Sequence, residues 1–134
     1  MNPPQVLIER TALEALCDAT SEHHEAVATA FLELLEDFEA DRLLLVAVGD
    51  HLRPHRKWYD VVRRGALAPV DTLHVGHQHR RAAGRMDVTS DFDTALTLVM
   101  CQRHKVARVL TLDPQFAAYD LDVQLVGVGD DVRV

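Results

Sequence analysis

Val106-Ala107-Arg108-Val109-Leu110-Thr111-Leu112-Asp113-Pro114-Gln115-Phe116 decides the fold. The stretch opens rich in valine and leucine, the composition of a buried strand. It stops on a carboxylate followed by proline, which cannot continue a central strand. Thr111, Asp113 and Phe116 are therefore expected at or just past the carboxyl end of a core strand. In an open α/β sheet that edge is where ligands and metals are held. The remaining sequence is read by what it delivers there.

Upstream, Ser90 or Asp91 opens a helix to about His104, with Leu96, Val99, Met100 and Cys101 apolar. Downstream, residues 123–128 read as a closing strand, with a turn at Gly129-Asp130-Asp131. At the other end of the chain Val6, Leu7 and Ile8 form a short strand that stops at Glu9. Thr11 with Glu14 three residues on reads as a capping box for a short helix bearing Leu13, Leu16 and Cys17. Ser21 and Glu22 open a second helix, in which Val27, Phe31, Leu34, Leu35 and Phe38 recur at helical spacing. Residues 42–48 are ambiguous between strand and buried helix. They run into Gly49-Asp50-His51-Leu52-Arg53, and Pro54 breaks or kinks whatever precedes it. A helix over residues 55–64 carries Trp58, Val61 and Val62 and stops at Gly65. A weak strand over 70–75 and a short basic helix over 77–86 follow. Strands alternating with helices favour a parallel α/β sheet.

With 134 residues the chain is read as a single domain, 1–134, large enough for one core. Its longest apolar run, residues 43–48, is far short of the roughly 20 residues that span a bilayer, so no membrane role is expected. The first residues do not look like a signal peptide. Cys17 and Cys101 form no spacing motif, which suits reduced core thiols in a cytoplasm. Net charge is −7, unevenly spread: residues 1–50 hold eleven acids against two bases, and residues 51–85 hold two acids against eight bases. The basic middle is either a solvated cationic face or a surface for phosphate. Arg53, Arg56, Lys57, Arg80, Arg81 and Arg85 are the candidates for contacts with a phosphate backbone.

Four acids occupy comparable positions: Glu9 after the first strand, Asp50 after the middle apolar run, Asp93 in the first turn of a helix, and Asp113 after the decisive strand. Each has a local explanation. Asp113 before Pro114 suits a helix N-cap with proline at N1, and Asp93 suits the positive end of a helix dipole. Gathered together they would repel and raise one another's pKa unless a cation were bound. Hard oxygen donors in that number suit Mg²⁺ or Mn²⁺.

The run from Val6 to Leu16 resembles the opening of a PIN domain: an apolar strand, an acid, any residue, then Ser or Thr. Asp93 heading Asp-Thr-Ala-Leu-Thr-Leu-Val-Met is similar to that family's third acid, and Thr111-Leu112-Asp113-Pro114-Gln115-Phe116 to its T-x-D-x-x-F element. Asp50 falls where the family carries its second acid on a helix, which makes residues 42–48 a lead into a helix. Length and element order resemble the VapC-type toxins. The resemblance implies a three-layer α/β/α fold on a parallel sheet of about four to five strands. It implies an Mg²⁺- or Mn²⁺-dependent endoribonuclease in which Glu9, Asp50, Asp93 and Asp113 hold the metal. Thr11 and Thr111 would support the carboxylates, a VapB-like antitoxin would be the partner, and the chain would form a homodimer. Two departures stand out: the family's first acid is normally Asp and its second Glu, so Glu9 and Asp50 are swapped in length. The alternative is a PIN-like module that binds a protein or RNA partner without cleaving.

His51 and His55, and the later group His74, His77 and His79, raise a zinc site, but no closed tetrahedral ligand set is visible, and surface histidines are expected. No glycine-rich phosphate loop is present, which excludes a P-loop nucleoside triphosphatase.

Overall fold

Successive strand residues face opposite sides of a sheet, and here both sides are apolar. The computed structural model describes residues 4–40, 42–64, 70–86, 91–119 and 121–126. In chain order these form β1 (Gln5–Ile8), α1 (Arg10–Cys17), α2 (His24–Glu39), β2 (Leu44–Val48), α3 (Gly49–Leu52), a 3-10 turn (Arg53–His55) and α4 (Arg56–Arg64). Then come β3 (Val70–Leu73), α5 (His77–Gly84), α6 (Phe92–His104), β4 (Arg108–Thr111), a second 3-10 turn (Pro114–Ala118) and β5 (Asp122–Leu125). The strands pair in the order β3-β2-β1-β4-β5, and every pairing is parallel.

Val6, Ile8, Leu45, Ala47 and Leu110 pack in one layer with Leu13 and Leu16 of α1 and with Val27, Phe31 and Leu34 of α2. Leu7, Val46, Val48 and Val109 pack on the other face against α5 and α6. A sheet covered on both faces explains why its strands are continuous apolar runs. Helix α6 is buried from Thr94 through Cys101, because it lies between the sheet and α5. Leu96 and Met100 are fully buried there. Each contributes about 1.5–3 kcal/mol by leaving water, which anchors the helix whose first turn carries Asp93.

The topology fixes where a site can form. From β1 the chain builds outward through β2 and β3, then returns to the other side of β1 to add β4 and β5. Where the order reverses, the connections after the two central strands part and leave a crevice at the carboxyl ends. Glu9 follows β1 at that point, and Asp113 follows β4.

Several local expectations are corrected. Residues 42–48 are not a lead-in in place of a strand: Leu44–Val48 is itself a strand, and a helix carrying Asp50 starts directly after it at Gly49. The swap to helix is abrupt because Gly49 packs closely on β3; a Cβ there would lie 3.0 Å from Thr72 Cγ2 and 3.2 Å from the Leu73 carbonyl oxygen. Helix α1 is capped by Glu9, which accepts from the Thr11 N–H, and not by Thr11 with Glu14. Glu14 instead accepts from Arg10. Helix α2 begins at His24, because Ser21 accepts from the His23 N–H and holds a turn before it. Gly65, Ser90, the end of the last strand at Val128, the turn at 129–131 and the side chains of Val61 and Val62 lie outside the described residues. No helix among the described residues is long and apolar enough to cross a membrane.

Candidate functional site

Glu9 is the hub of the carboxyl edge. Its side chain is buried, with 2% of the residue exposed, and Oε1 takes three donors. The Thr11 N–H donates at 3.0 Å, the Thr111 hydroxyl at 2.6 Å, and the Thr11 hydroxyl also donates to it. Each hydroxyl in turn accepts a backbone proton: Thr11 from the Leu112 N–H at 3.1 Å, Thr111 from the Asp113 N–H at 2.9 Å. A single carboxylate oxygen thus ties the end of β1 to the end of β4. No described cation lies at ion-pair distance from it. A carboxylate buried this far is costly unless donors satisfy it, and here hydroxyls and one amide do so.

Asp93 sits on the first turn of α6, which Asp91 caps by accepting from the Asp93 N–H and the Thr94 hydroxyl. Those two bonds, the Thr94 hydroxyl foremost, outweigh partial burial and, with Arg10, hold the Asp91 carboxyl below its ordinary range. Two groups meet Asp93. Arg10 Nε lies 3.5 Å from Oδ2, and His51 Nε2 lies 3.4 Å from Oδ1. The same guanidinium reaches Glu14 at 3.3 Å and Asp91 at 3.9 Å. Burial works to lower the Arg10 pKa, but Glu14, Glu9, Asp93 and Asp91 together raise it above its ordinary value. It is a permanent cation ringed by acids.

Asp50 takes a different direction. Arg80 Nη2 lies 3.0 Å from both of its oxygens, and Arg53 Nη2 lies 3.1 Å from Oδ1. Its neighbour His51 is the residue of α3 that faces Asp93. The expectation of a surface histidine at 51 is overturned: the residue is 6% exposed, and both ring nitrogens are buried without a hydrogen-bond partner. Asp113 caps the second 3-10 turn through the Gln115 N–H at 3.0 Å and holds the Gln115 amide at 2.6 Å. Arg56, Lys57 and Arg81 are exposed. A cleft of about 410 Å³ opens beside α3, lined by Arg53, Arg56, Tyr59 and His74 among others, and none of the four acids lines it. Burial pushes the thiols of Cys17 and Cys101 up to about 12, which leaves neither a nucleophile near neutral pH.

Of the residues picked out from the sequence, the fold ties Glu9, Thr11 and Thr111 together by hydrogen bonds, while Asp93 meets Arg10 and His51, Asp113 meets Gln115, and Asp50 meets Arg80 and Arg53. Sequence reading missed Arg10 and the inward face of His51. The signal for Arg10 was present: it is one of only two bases among the first fifty residues. Among the described residues no three His, Cys, Asp or Glu side chains converge closely enough to hold a metal ion. Arg10 and Arg80 stand against two of the four acids, so the donor set in this arrangement does not fit Mg²⁺ or Mn²⁺.

No family model and no curated protein matches the chain. Among solved structures it is similar to VapC20 of Mycobacterium tuberculosis, a sarcin–ricin loop cleaving toxin, at 17% identity and a TM-score of 0.59. The match covers 89% of this chain and 98% of that one. The fold is PIN-like. In a PIN-like fold of this length, the five-stranded parallel sheet and its two helical layers are fully accounted for, and the crevice beside Glu9 lies at the switch point.

Proposed function

We propose that this chain is a ribonuclease of the toxin type, hydrolysing RNA phosphodiester bonds at the crevice beside Glu9. The observation that carries the reading is the buried Glu9 carboxylate. It is held by Thr11 and Thr111 across the two central strands, with Asp93 and Asp113 on the elements beside it. A fold needs no carboxylate at 2% exposure merely to join two strand ends, and burying one is costly, which points to a purpose beyond that join. The similarity to a toxin that cleaves the sarcin–ricin loop adds support and names a first RNA to try. Glu9, Asp50, Asp93 and Asp113 are the acids we assign to the site, and an Mg²⁺ or Mn²⁺ cofactor belongs to the proposal only where Arg10 and Arg80 have left Asp93 and Asp50. Exposed Arg56, Lys57 and Arg81 would meet the RNA backbone, joined by Arg53 and Arg80 where these leave Asp50. A VapB-like antitoxin, a homodimer and a cytoplasmic setting belong to the same proposal.

The test is cleavage of an end-labelled RNA containing a sarcin–ricin loop, with Mn²⁺ present or chelated. Cleavage that chelation stops, and that Glu9→Gln or Asp93→Asn reduces by roughly a hundredfold or more, supports the reading. RNA bound without cleavage under every ion condition favours the second reading, a PIN-like module that binds RNA without cutting it. The pairing of Arg10 with Asp93 and of Arg80 with Asp50 is the observation behind that alternative.

A further inference from the structure

We infer that Arg10 is a built-in counter-ion that occupies the acid cluster and competes with a divalent cation for it. The inference rests on the nuclease reading for the premise that the site takes a metal at all. Its evidence is geometric. The Arg10 side chain starts on the first turn of α1, in one helical layer, and its guanidinium crosses the carboxyl edge to the start of α6 in the other. There it stands 3.5 Å from Asp93 and 3.9 Å from Asp91, with Glu14 at 3.3 Å. Its Nη1 hydrogen-bonds Glu14, but the buried Nε that faces Asp93 has no hydrogen-bond partner, so on the Asp93 side the group is held by charge. A second observation points to an unfilled role at the same place. His51 is buried with neither ring nitrogen hydrogen-bonded, and Nε2 lies 3.4 Å from Asp93 Oδ1, while Arg10 lies at Oδ2.

A protein whose fold already supplies the cation has no need of an ion to relieve repulsion among its acids. An entering ion must first displace a tethered guanidinium, and its apparent affinity falls by the fraction of molecules in which the site is clear. Glu9 is insulated from this exchange by its two threonines. The movable part is therefore Arg10 with Asp91 and Asp93. Loading would consist of the Arg10 side chain leaving Asp93 and Asp91 for solvent while it keeps its i+4 contact with Glu14 and the backbone stays in place.

The test is isothermal titration of Mn²⁺ alone, without RNA, into the full chain. The proteins compared are wild type, Arg10→Met, which keeps the apolar stem and removes the charge, and Arg10→Lys, which keeps a charge but loses the planar fork. Arg10→Met is expected to bind Mn²⁺ roughly tenfold or more tightly than wild type, with Arg10→Lys between them. Adding Asp93→Asn to Arg10→Met is expected to abolish the gain. Should Arg10→Met not fold, the ordering of Arg10→Lys against wild type carries the same test. Equal affinity in wild type and the Arg10 variants overturns the counter-ion assignment and leaves the nuclease reading standing. Absence of Mn²⁺ binding in all of them overturns both.

Discussion

Thr111 shows how much one hydroxyl can organise. It is fully buried, donates to Glu9 and accepts from the Asp113 N–H. Thr111→Val keeps the shape and removes both bonds, taking one of three donors from the buried Glu9 carboxylate and leaving the Asp113 amide without its acceptor. The expected cost is about 1–3 kcal/mol, read as a shift of the urea midpoint with unchanged slope. His51 is expected to behave differently. Neither ring nitrogen is hydrogen-bonded and Nε2 only approaches Asp93 at 3.4 Å, so His51→Leu removes a desolvation penalty against the loss of that one contact and should change stability by less than about 1 kcal/mol. RNA cleavage should nevertheless fall. A loss of stability equal to that of a core deletion would show that the imidazole is structural. At this scale the sequence was legible wherever a residue's partner lay close in chain or was set by the topology, as with Glu9 and Thr111. It was not legible on α3. Adjacent helical residues point about 100° apart, so whether Asp50 or His51 faces the crevice depends on packing against β3 and α6 that no local pattern encodes.

At the scale of elements, the strands and α6 could be read because their apolar runs and flanking acids are local signals. Leu44–Val48 resisted because a strand buried on both faces loses the alternation that would distinguish it from a buried helix. The cap of α1 was misassigned for a related reason: Glu9, Thr11 and Glu14 all satisfy capping chemistry, and only the tertiary bond from Thr111 selects Glu9. Helix α6 offers a test in which chemistry and pH separate. Asp91→Ala removes the cap and should cost about 1 kcal/mol. Asp91→Asn retains an acceptor and should cost less, while removing a titrating group. The folded-state pKa of Asp91 is lowered, so its contribution is fully present above the unfolded value of about 3.9 and lost as pH falls through the folded one. Thermal melts from pH 6 to pH 2 should show the wild type losing stability more steeply than Asp91→Asn below about pH 4. Parallel curves would remove Asp91 from the acid-sensitive set.

For the whole molecule, charge is segregated along the chain, and the fold keeps the cationic segment on α3 to α5, beside the carboxyl edge. Arg56 and Lys57 stand exposed there. If single-stranded RNA crosses that face, neutralising both should reduce the salt dependence of binding by about 1.4 in the slope of log K against log salt. Fluorescence anisotropy at several salt concentrations measures this, and an unchanged slope would send the RNA elsewhere. The overall α/β architecture was legible because strand and helix patterns alternate over the chain. The pairing of acids with Arg10 and Arg80 was not, since Asp50 and Arg80 lie 30 residues apart and only the stacking of layers brings them together.

The bond between Thr111 and Glu9 joins residues 102 positions apart, and β1 cannot gain its second neighbour until β4 exists. During translation the first strand therefore leaves the ribosome with one edge bare and waits until Arg108–Thr111 has followed. Glu9 stays without its Thr111 donor throughout that interval, and Asp113 is not yet beside it. Until β4 is made the chain holds Glu9, Asp50 and Asp93 without Asp113 and without the bond from Thr111, so a fragment ending before β4 carries three of the four acids and no assembled crevice. A nascent chain is thereby inert for the chemistry proposed above until its fourth strand is in place.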